Sequence, residues 1–240
     1  MRNYDVIVLG GGFGSRLASV VSTKQKIAAQ IDGKPFFYYI LVKISEMPIS
    51  KVIFALGHKA DSVIKEIKKI KKSKFFDFDI DWIIEDEPLG TGGAIKNVFN
   101  NFSLEKEVVV MNGDSIVDTN LYEILDFHKN SQAMASMLLV SFSDIDRYGS
   151  VEVDKYNKII KFDEKIKKSN INFNLINTGV YIFDRNIIAK IPNKKYSIER
   201  ELIPSLIGEI YGFITNSKFI DIGIPEDFSK ANLEIREFFQ

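Results

Sequence analysis

Residues 6–9 of the sequence form an apolar, β-branched run that breaks without a spacer into Gly10, Gly11, Gly12, Phe13 and Gly14, followed by Ser15 and Arg16. Such a continuous run reads as a strand buried on both faces, and strands of that kind belong to parallel sheets covered by helices. Glycines placed where the strand leaves the sheet let the backbone take positive φ and approach a ligand closely. Backbone amides converging there, with a serine and an arginine behind them, form a cradle for phosphate. The competing reading is a turn that uses glycine only to pack tightly, with Arg16 paired to a surface carboxylate.

The chain beyond this turn repeats the strand and helix alternation that a parallel sheet requires. Residues 52–55, 82–84 and 108–111 read as strands, and residues 36–45 and 61–72 as helices. Within 61–72, Val63, Ile64, Ile67 and Ile70 recur at helical spacing while lysines fill other positions, which predicts a solvated basic face rather than a nucleic-acid patch. After Ala133, "MASMLLVSF" reads as a buried strand, "GSVEVDKYNKIIKFDEK" as a hairpin turning at Tyr156 and Asn157, and "NTGVYIFD" as a further strand. "KFIDIGIPEDFSKANLEIREFF" gives a strand, a turn at residues 223–225 and an amphipathic helix. The fold expected is α/β, a Rossmann-like three-layer αβα sandwich around a mixed, mostly parallel sheet. With no internal repeat and no Pro-, Gly- or Ser-rich linker, residues 1–240 read as a single domain. Residues 1–132 form its nucleotide-binding half, and 133–240 add a lobe for the second substrate.

Bulk composition removes several classes of function. Lys and Arg number 32, as do Asp and Glu, so no global positive field gathers nucleic acid. The absence of cysteine excludes disulfides, thiolate zinc sites and cysteine nucleophiles. Neither a signal peptide nor a long apolar run is visible, so no membrane association and a cytoplasmic location are expected. The two histidines, His58 and His128, read as turn or helix-surface residues rather than as a base or a ligand. Phe36, Phe37, Tyr38 and Tyr39 read equally as core or as the interface of a homodimer.

Spacing tests which phosphate loop this is. A dinucleotide fingerprint starting at Gly10 would need glycine where Ser15 stands, and a P-loop would need lysine where Arg16 stands. What remains is G-G-x-G-S-R-L with Lys26 ten residues after Arg16. Amides and Ser15 can wrap a triphosphate, while Arg16 and Lys26 put positive charge where a leaving pyrophosphate gathers negative charge. Asp114 follows the strand at 108–111, and Asp221 ends the run Phe219–Ile220. Carboxylates at strand ends lie where α/β sheets collect ligands, although a lone aspartate there is also an ordinary turn or cap residue.

Eight motifs in order, "GGGFGSRL", "DGKPFFYYIL", "EDEPLGTGGAI", "MNGDS", "RYGSVEVD", "FDEK", "INTGVYIFD" and "FIDIGIPEDF", make the chain resemble the sugar-1-phosphate nucleotidyltransferases. Within them it is most similar to the branch that makes GDP-activated heptose, with mannose-1-phosphate guanylyltransferases close by. The resemblance implies attack of a sugar-1-phosphate oxygen on the α-phosphate of a nucleoside triphosphate, with pyrophosphate leaving and no nucleophile from the protein. Two polyanions must then meet, which calls for a divalent metal and cationic side chains. By resemblance the catalytic residues are Arg16, Lys26, Asp114 and Asp221, the two aspartates holding Mg2+. Leu9, Gly11, Gly12, Gly14, Ser15, Glu85, Gly90, Thr91, Gly92, Asn112 and Gly113 would bind the nucleotide. Gly149, Glu164, Lys165, Asn177 and Thr178 would bind the sugar phosphate, Lys165 through the phosphate itself.

The residue types add a reading of the base. Guanine offers N1–H and an exocyclic amine on one edge, which suits an acceptor-only carboxylate such as Glu85, whereas uracil or thymine suits an amide. GTP is therefore the expected nucleotide, with Gly90, Gly92 and Gly93 making room for a purine and Thr91 offering a hydroxyl. The sequence departs from the family in one place. Prolines normally follow the loop lysine, and here Ile27, Ala28, Ala29 and Gln30 follow Lys26. Without fixed φ the loop is freer, or Lys24 shares the role. Two alternatives stay open beside a transferase: a nucleotide-binding protein with little or no turnover, and, with the glycine spacing against it, an NAD-dependent oxidoreductase.

Overall fold

The computed structural model describes residues 4–12, 17, 24–141, 148–164 and 175–239. The first strand, β1 (Tyr4–Gly10), ends on the glycine turn, and the described chain resumes before a single 3-10 turn at Lys26–Ala28. A two-residue ladder of β2 (Gln30–Ile31) and β3 (Lys34–Pro35) leads into α1 (Phe36–Ile44). Then come β4 (Ile49–Leu56), α2 (Ala60–Ser73), β5 (Asp79–Ile84), α3 (Gly90–Asn101), β6 (Glu107–Asn112), β7 (Ser115–Val117) and α4 (Leu121–Asn130). The second half adds β8 (Ala135–Ser141), β9 (Ser150–Val153), β10 (Ile159–Asp163), β11 (Leu175–Asp184) and α5 (Arg185–Lys190). A π-turn at Ile198–Leu202 runs into α6 (Ile203–Ser205), followed by β12 (Tyr211–Thr215), β13 (Phe219–Asp221), α7 (Pro225–Glu234) and a closing 3-10 turn at Ile235–Phe239.

Among the described residues nine strands form one sheet, in which β10, β9, β11, β6, β1, β4 and β5 follow one another while β8 pairs with β11 and β12 with β8. β6, β1, β4 and β5 run parallel, and β11 brings in the antiparallel pairings to β6, β8 and β9. The apolar run of β1 divides as a strand buried on both faces must. Val6 and Val8 join the core beneath α1, α2 and α4, whereas Ile7 joins the core beneath α3 and α5. The result is the three-layer α/β arrangement.

Local readings of the sequence mostly fall where the residues put them. In α2 the apolar side chains Val63, Ile64 and Ile67 are buried while Lys65, Lys68, Lys69 and Lys72 stay exposed. The β9–β10 hairpin turns at Asn157, whose φ is +62°, with Asp154 Oδ1 accepting from the amides of Tyr156 at 2.8 Å and Lys158 at 2.9 Å. Phe36, Phe37 and Tyr39 are core residues, Phe37 meeting Phe54 edge-on and the Tyr39 hydroxyl donating to Ile31 O. Tyr38 is partly buried against the same core. His128 departs from its surface assignment: it is buried, with Nδ1 2.8 Å from Ser136 Oγ, and burial lowers its pKa. His58 sits in the exposed turn before α2. Among the described residues no helix is long and apolar enough to cross a membrane.

From β1 the chain crosses to β4 on one side, and from β5 it crosses back to β6 on the other. The crevice outside the carboxyl ends of β1 and β6 is therefore the topological switch point, where open α/β sheets bind ligands.

Candidate active site

A cavity of about 290 Å³ opens at that crevice, lined by Leu9, Gly11, Gly12, Glu85, Gly90, Thr91, Asn112 and Asp114. Eight of the residues assigned from sequence thus meet in one place, although they come from three separate stretches, 9–12, 85–91 and 112–114. Gly113 lies just beneath, its amide donating to Leu9 O at 2.8 Å. Gly14, Ser15, Arg16 and Lys165 lie outside the described residues.

Two short strands bring the carboxylates together. β7 and β13 pair antiparallel, with Asp221 opposite Ser115, so Asp221 arrives beside Asp114, and the amide after it, Ile222 N, donates to Asp114 O at 2.9 Å. The Lys26 ammonium reaches both, 2.6 Å from Asp114 Oδ2 and 3.9 Å from Asp221 Oδ1. Burial, and then the negative charge of Asp114, push the Asp221 carboxyl up to about 6 against the pull of Lys26 and the Gly223 amide. That amide donates to Asp221 Oδ1 at 2.6 Å. Among the described residues no third acidic or imidazole side chain completes a metal cage. A hard ion at this pair would take its remaining ligands from a substrate and from water.

Glu85 follows β5, and its backbone amide donates to Leu56 O at 2.8 Å. Its Oε2 accepts from the Leu89 amide at 3.3 Å, while Oε1 is sealed from solvent with no hydrogen-bond partner among the described residues. Burial raises the pKa of this carboxyl. A buried acceptor left without a donor, beside a cavity, fits a donor supplied by a ligand.

The glycines at the start of α3 serve a different neighbour from the one the sequence suggests. Gly90 has φ +73°, and a Cβ there would lie 2.7 Å from Tyr196 O. The Gly92 and Gly93 amides donate to the same carbonyl at 2.9 and 3.1 Å, and Tyr196 N donates to Leu89 O. These glycines admit residues 194–198, so the room they make is taken by protein backbone rather than by a purine. The Thr91 hydroxyl is likewise engaged, donating to Glu199 Oε2 and accepting from Ile198 N, both at 2.8 Å. No sequence motif marks this segment as part of the site, although its Lys195 lines the cavity. Its visible signal was the helix-start pattern Ser197–Glu201, in which the Ser197 hydroxyl accepts from Arg200 N and Glu201 accepts from Ser197 N.

Among the residues expected to bind the sugar phosphate, the structure joins some and turns one away. Asn177 N donates to Gly149 O at 2.9 Å, and its side-chain amide donates to the Tyr181 hydroxyl at 2.6 Å. Glu164 Oε2 accepts from Arg200 Nε at 2.6 Å. Burial raises the Tyr181 hydroxyl well above its ordinary value, with Glu199 adding to the effect. Thr178 is buried and its hydroxyl donates to Leu138 O, so it holds the bulge between β11 and β8 and offers no hydroxyl to a ligand.

A model of the nucleotidyl transferase family matches residues 5–237. The chain belongs to that family. It is 36% identical over 237 residues to D-glycero-alpha-D-manno-heptose 1-phosphate guanylyltransferase of Aneurinibacillus thermoaerophilus, covering 98% of this chain and 99% of the relative. The enzyme of the same name from Campylobacter jejuni is 35% identical, with 93% and 96% covered. Among solved structures, HddC from Yersinia pseudotuberculosis complexed with GMP-PN superposes with a TM-score of 0.81 at 34% identity, covering 97% of this chain and 99% of HddC. Gly11, Gly12, Asp114 and the orphaned Glu85 oxygen thus gather around one cavity at the carboxyl ends of the parallel strands of a nucleotidyl transferase.

Proposed function

We propose that this protein transfers the guanylyl group of GTP to a sugar 1-phosphate of heptose or mannose type, giving a GDP-sugar and pyrophosphate. The observation that carries the choice of nucleotide is Glu85: a sealed carboxylate oxygen without a donor, at the cavity wall. Guanine N1–H and its amine supply donors on one edge, which uracil and thymine cannot match. The relatives named for guanylyl transfer to heptose 1-phosphate support the same reading.

An oxygen of the sugar phosphate attacks the α-phosphorus as the bond to the bridging β-phosphate oxygen breaks, and pyrophosphate leaves. No covalent intermediate with the protein is required, so the work of the chain is positioning and charge. Asp114 and Asp221 are the residues that would hold Mg2+. Their fit is seen in the donor set, two hard carboxylates that already attract one cation, the Lys26 ammonium. Magnesium, when bound, supplies positive charge to the phosphate oxygens. Lys26, together with Arg16, holds the triphosphate. In this reading Gly149, Glu164 and Asn177 face the acceptor sugar, with Lys165 on its phosphate, and the protein works in the cytoplasm.

Pyrophosphate release with Mg2+ across the common nucleoside triphosphates, each against heptose, mannose and glucose 1-phosphates, tests the proposal. Release confined to GTP with heptose or mannose 1-phosphate is expected. Preference for UTP or dTTP would overturn the base assignment, and a folded protein that binds GTP but is silent throughout would favour a binding role without turnover.

A further inference from the structure

The family pattern has proline after the loop lysine, and this chain has Ile27. The structure shows what stands in its place. Ile27 is buried, and its two branches reach two different parts of the site. A Cβ on Gly10 would lie 2.7 Å from Ile27 Cδ1, and a Cβ on Gly113 would lie 3.0 Å from Ile27 Cγ2. Gly10 ends β1, where the phosphate turn begins, and Gly113 is the residue before Asp114. Lys26 stands on the same short turn as Ile27, closed by Ala28 N donating to Gln25 O at 2.9 Å and Ala29 N to Lys26 O at 3.0 Å.

We propose that Ile27 is a positioning residue for the nucleotidyl transfer, a wedge between Gly10 and Gly113 that sets the Lys26 ammonium against the Asp114 carboxylate. A β-branched side chain has few rotamers, and close packing on two glycine faces leaves the turn no slack. Fixed side-chain contact thereby replaces the fixed φ of a proline. Lys24 need not share the role, because the 2.6 Å contact already belongs to Lys26. The inference rests on the phosphate-binding role proposed for Lys26.

The test is a double-mutant cycle on turnover with GTP and the accepted sugar phosphate, using Ile27→Ala, Ile27→Val and Lys26→Met. Valine keeps a branch toward Gly113, and Ile27→Val is expected to retain kcat within about threefold. Ile27→Ala removes both contacts and is expected to lower kcat about 10- to 100-fold, the range in which a displacement of about an ångström matters, with GTP binding little changed. In the Lys26→Met background, Ile27→Ala should cost no more than about a further twofold, because its effect passes through the lysine. The same fold loss in both backgrounds, or an Ile27→Ala enzyme within threefold of the parent, overturns the inference while leaving the Lys26 role standing. Near-parental activity of Lys26→Met alone overturns both and identifies the Lys26 role as the failed premise. Gly10→Ala covers the case in which Ile27→Ala does not fold: it puts a methyl 2.7 Å from Ile27 Cδ1 and 3.1 Å from the Leu56 Cδ2 side-chain end and should lower turnover about tenfold or more, and Ile27→Val, which lacks the nearer of those atoms, should recover at least about threefold of the loss. Failure of that rescue also overturns the inference.

Discussion

Replacing Asp221 by asparagine should stabilise the metal-free protein while removing its activity. The Asp221 carboxyl is raised from its ordinary 3.8 to about 6, first by burial and then by Asp114. The folded chain therefore holds the Asp221 proton more tightly than the unfolded chain does. Stability from this group is fully present below about pH 4, is lost as pH rises through about 6, and stays lost above that. About 2 pK units correspond to about 3 kcal/mol, the cost of keeping the carboxylate ionised near neutrality. Asparagine keeps an oxygen to accept from the Gly223 amide but brings no charge beside Asp114. The longer pairing with Lys26, at 3.9 Å, is given up and offsets part of the gain. A net gain of about 1–2 kcal/mol in chelator near pH 7.5 follows, or several degrees in Tm for a chain of 240 residues. Thermal unfolding in EDTA from about pH 7.5 down to about pH 4 should show the two melting curves converging as the wild-type carboxyl takes up its proton. A lower Tm for Asp221→Asn near neutrality, or an advantage that persists unchanged at the acid end, would refute the reasoning. Adding Mg2+ and GTP should reverse the order, because only the wild type has both carboxylates for the ion.

Three further outcomes are expected. Asp114→Asn should lower kcat by on the order of 10² or more with little change in Tm, since it removes charge at the reacting phosphates rather than packing; pyrophosphate release checks it. Glu85→Gln should narrow the ratio of kcat/KM for GTP over UTP by about tenfold or more in direct competition, and an unchanged ranking would remove Glu85 from base recognition. Gly90→Ala should cost more than about 2 kcal/mol in a chemical unfolding titration, because φ of +73° and the Tyr196 carbonyl 2.7 Å away both oppose a side chain.

Much of the scaffold is written in local pattern. Strands β1, β4 and β6 are apolar runs buried on both faces, and α2 shows its inner and outer sides by spacing alone. His128 could have been placed correctly by the same means, because it follows Leu121, Ile124 and Leu125 on the apolar face of α4. Asp114 and Asp221 are visible as carboxylates at strand ends, but their meeting depends on a three-residue ladder between segments about a hundred residues apart, and strands that short leave no period to read. The GTGG stretch shows where glycine reading falls short. Composition reports that something comes close to the backbone, not whether it is a base or, as here, the carbonyl of Tyr196. Residues 194–198 act mainly through main-chain groups, which every sequence carries alike.

The ribbon of β7 and β13 carries one further consequence. Strand β7 lies near the middle of the chain and β13 close to the end of the described residues, so the acidic pair forms only once segments about a hundred residues apart have met. A fragment that stops before Phe219 would keep the glycine turn, Lys26, Glu85 and Asp114 and still have only one of the two carboxylates. Residues 1–218 are therefore not a transferable module for the acidic pair, and any circular permutant must keep both strands in reach of each other to retain it.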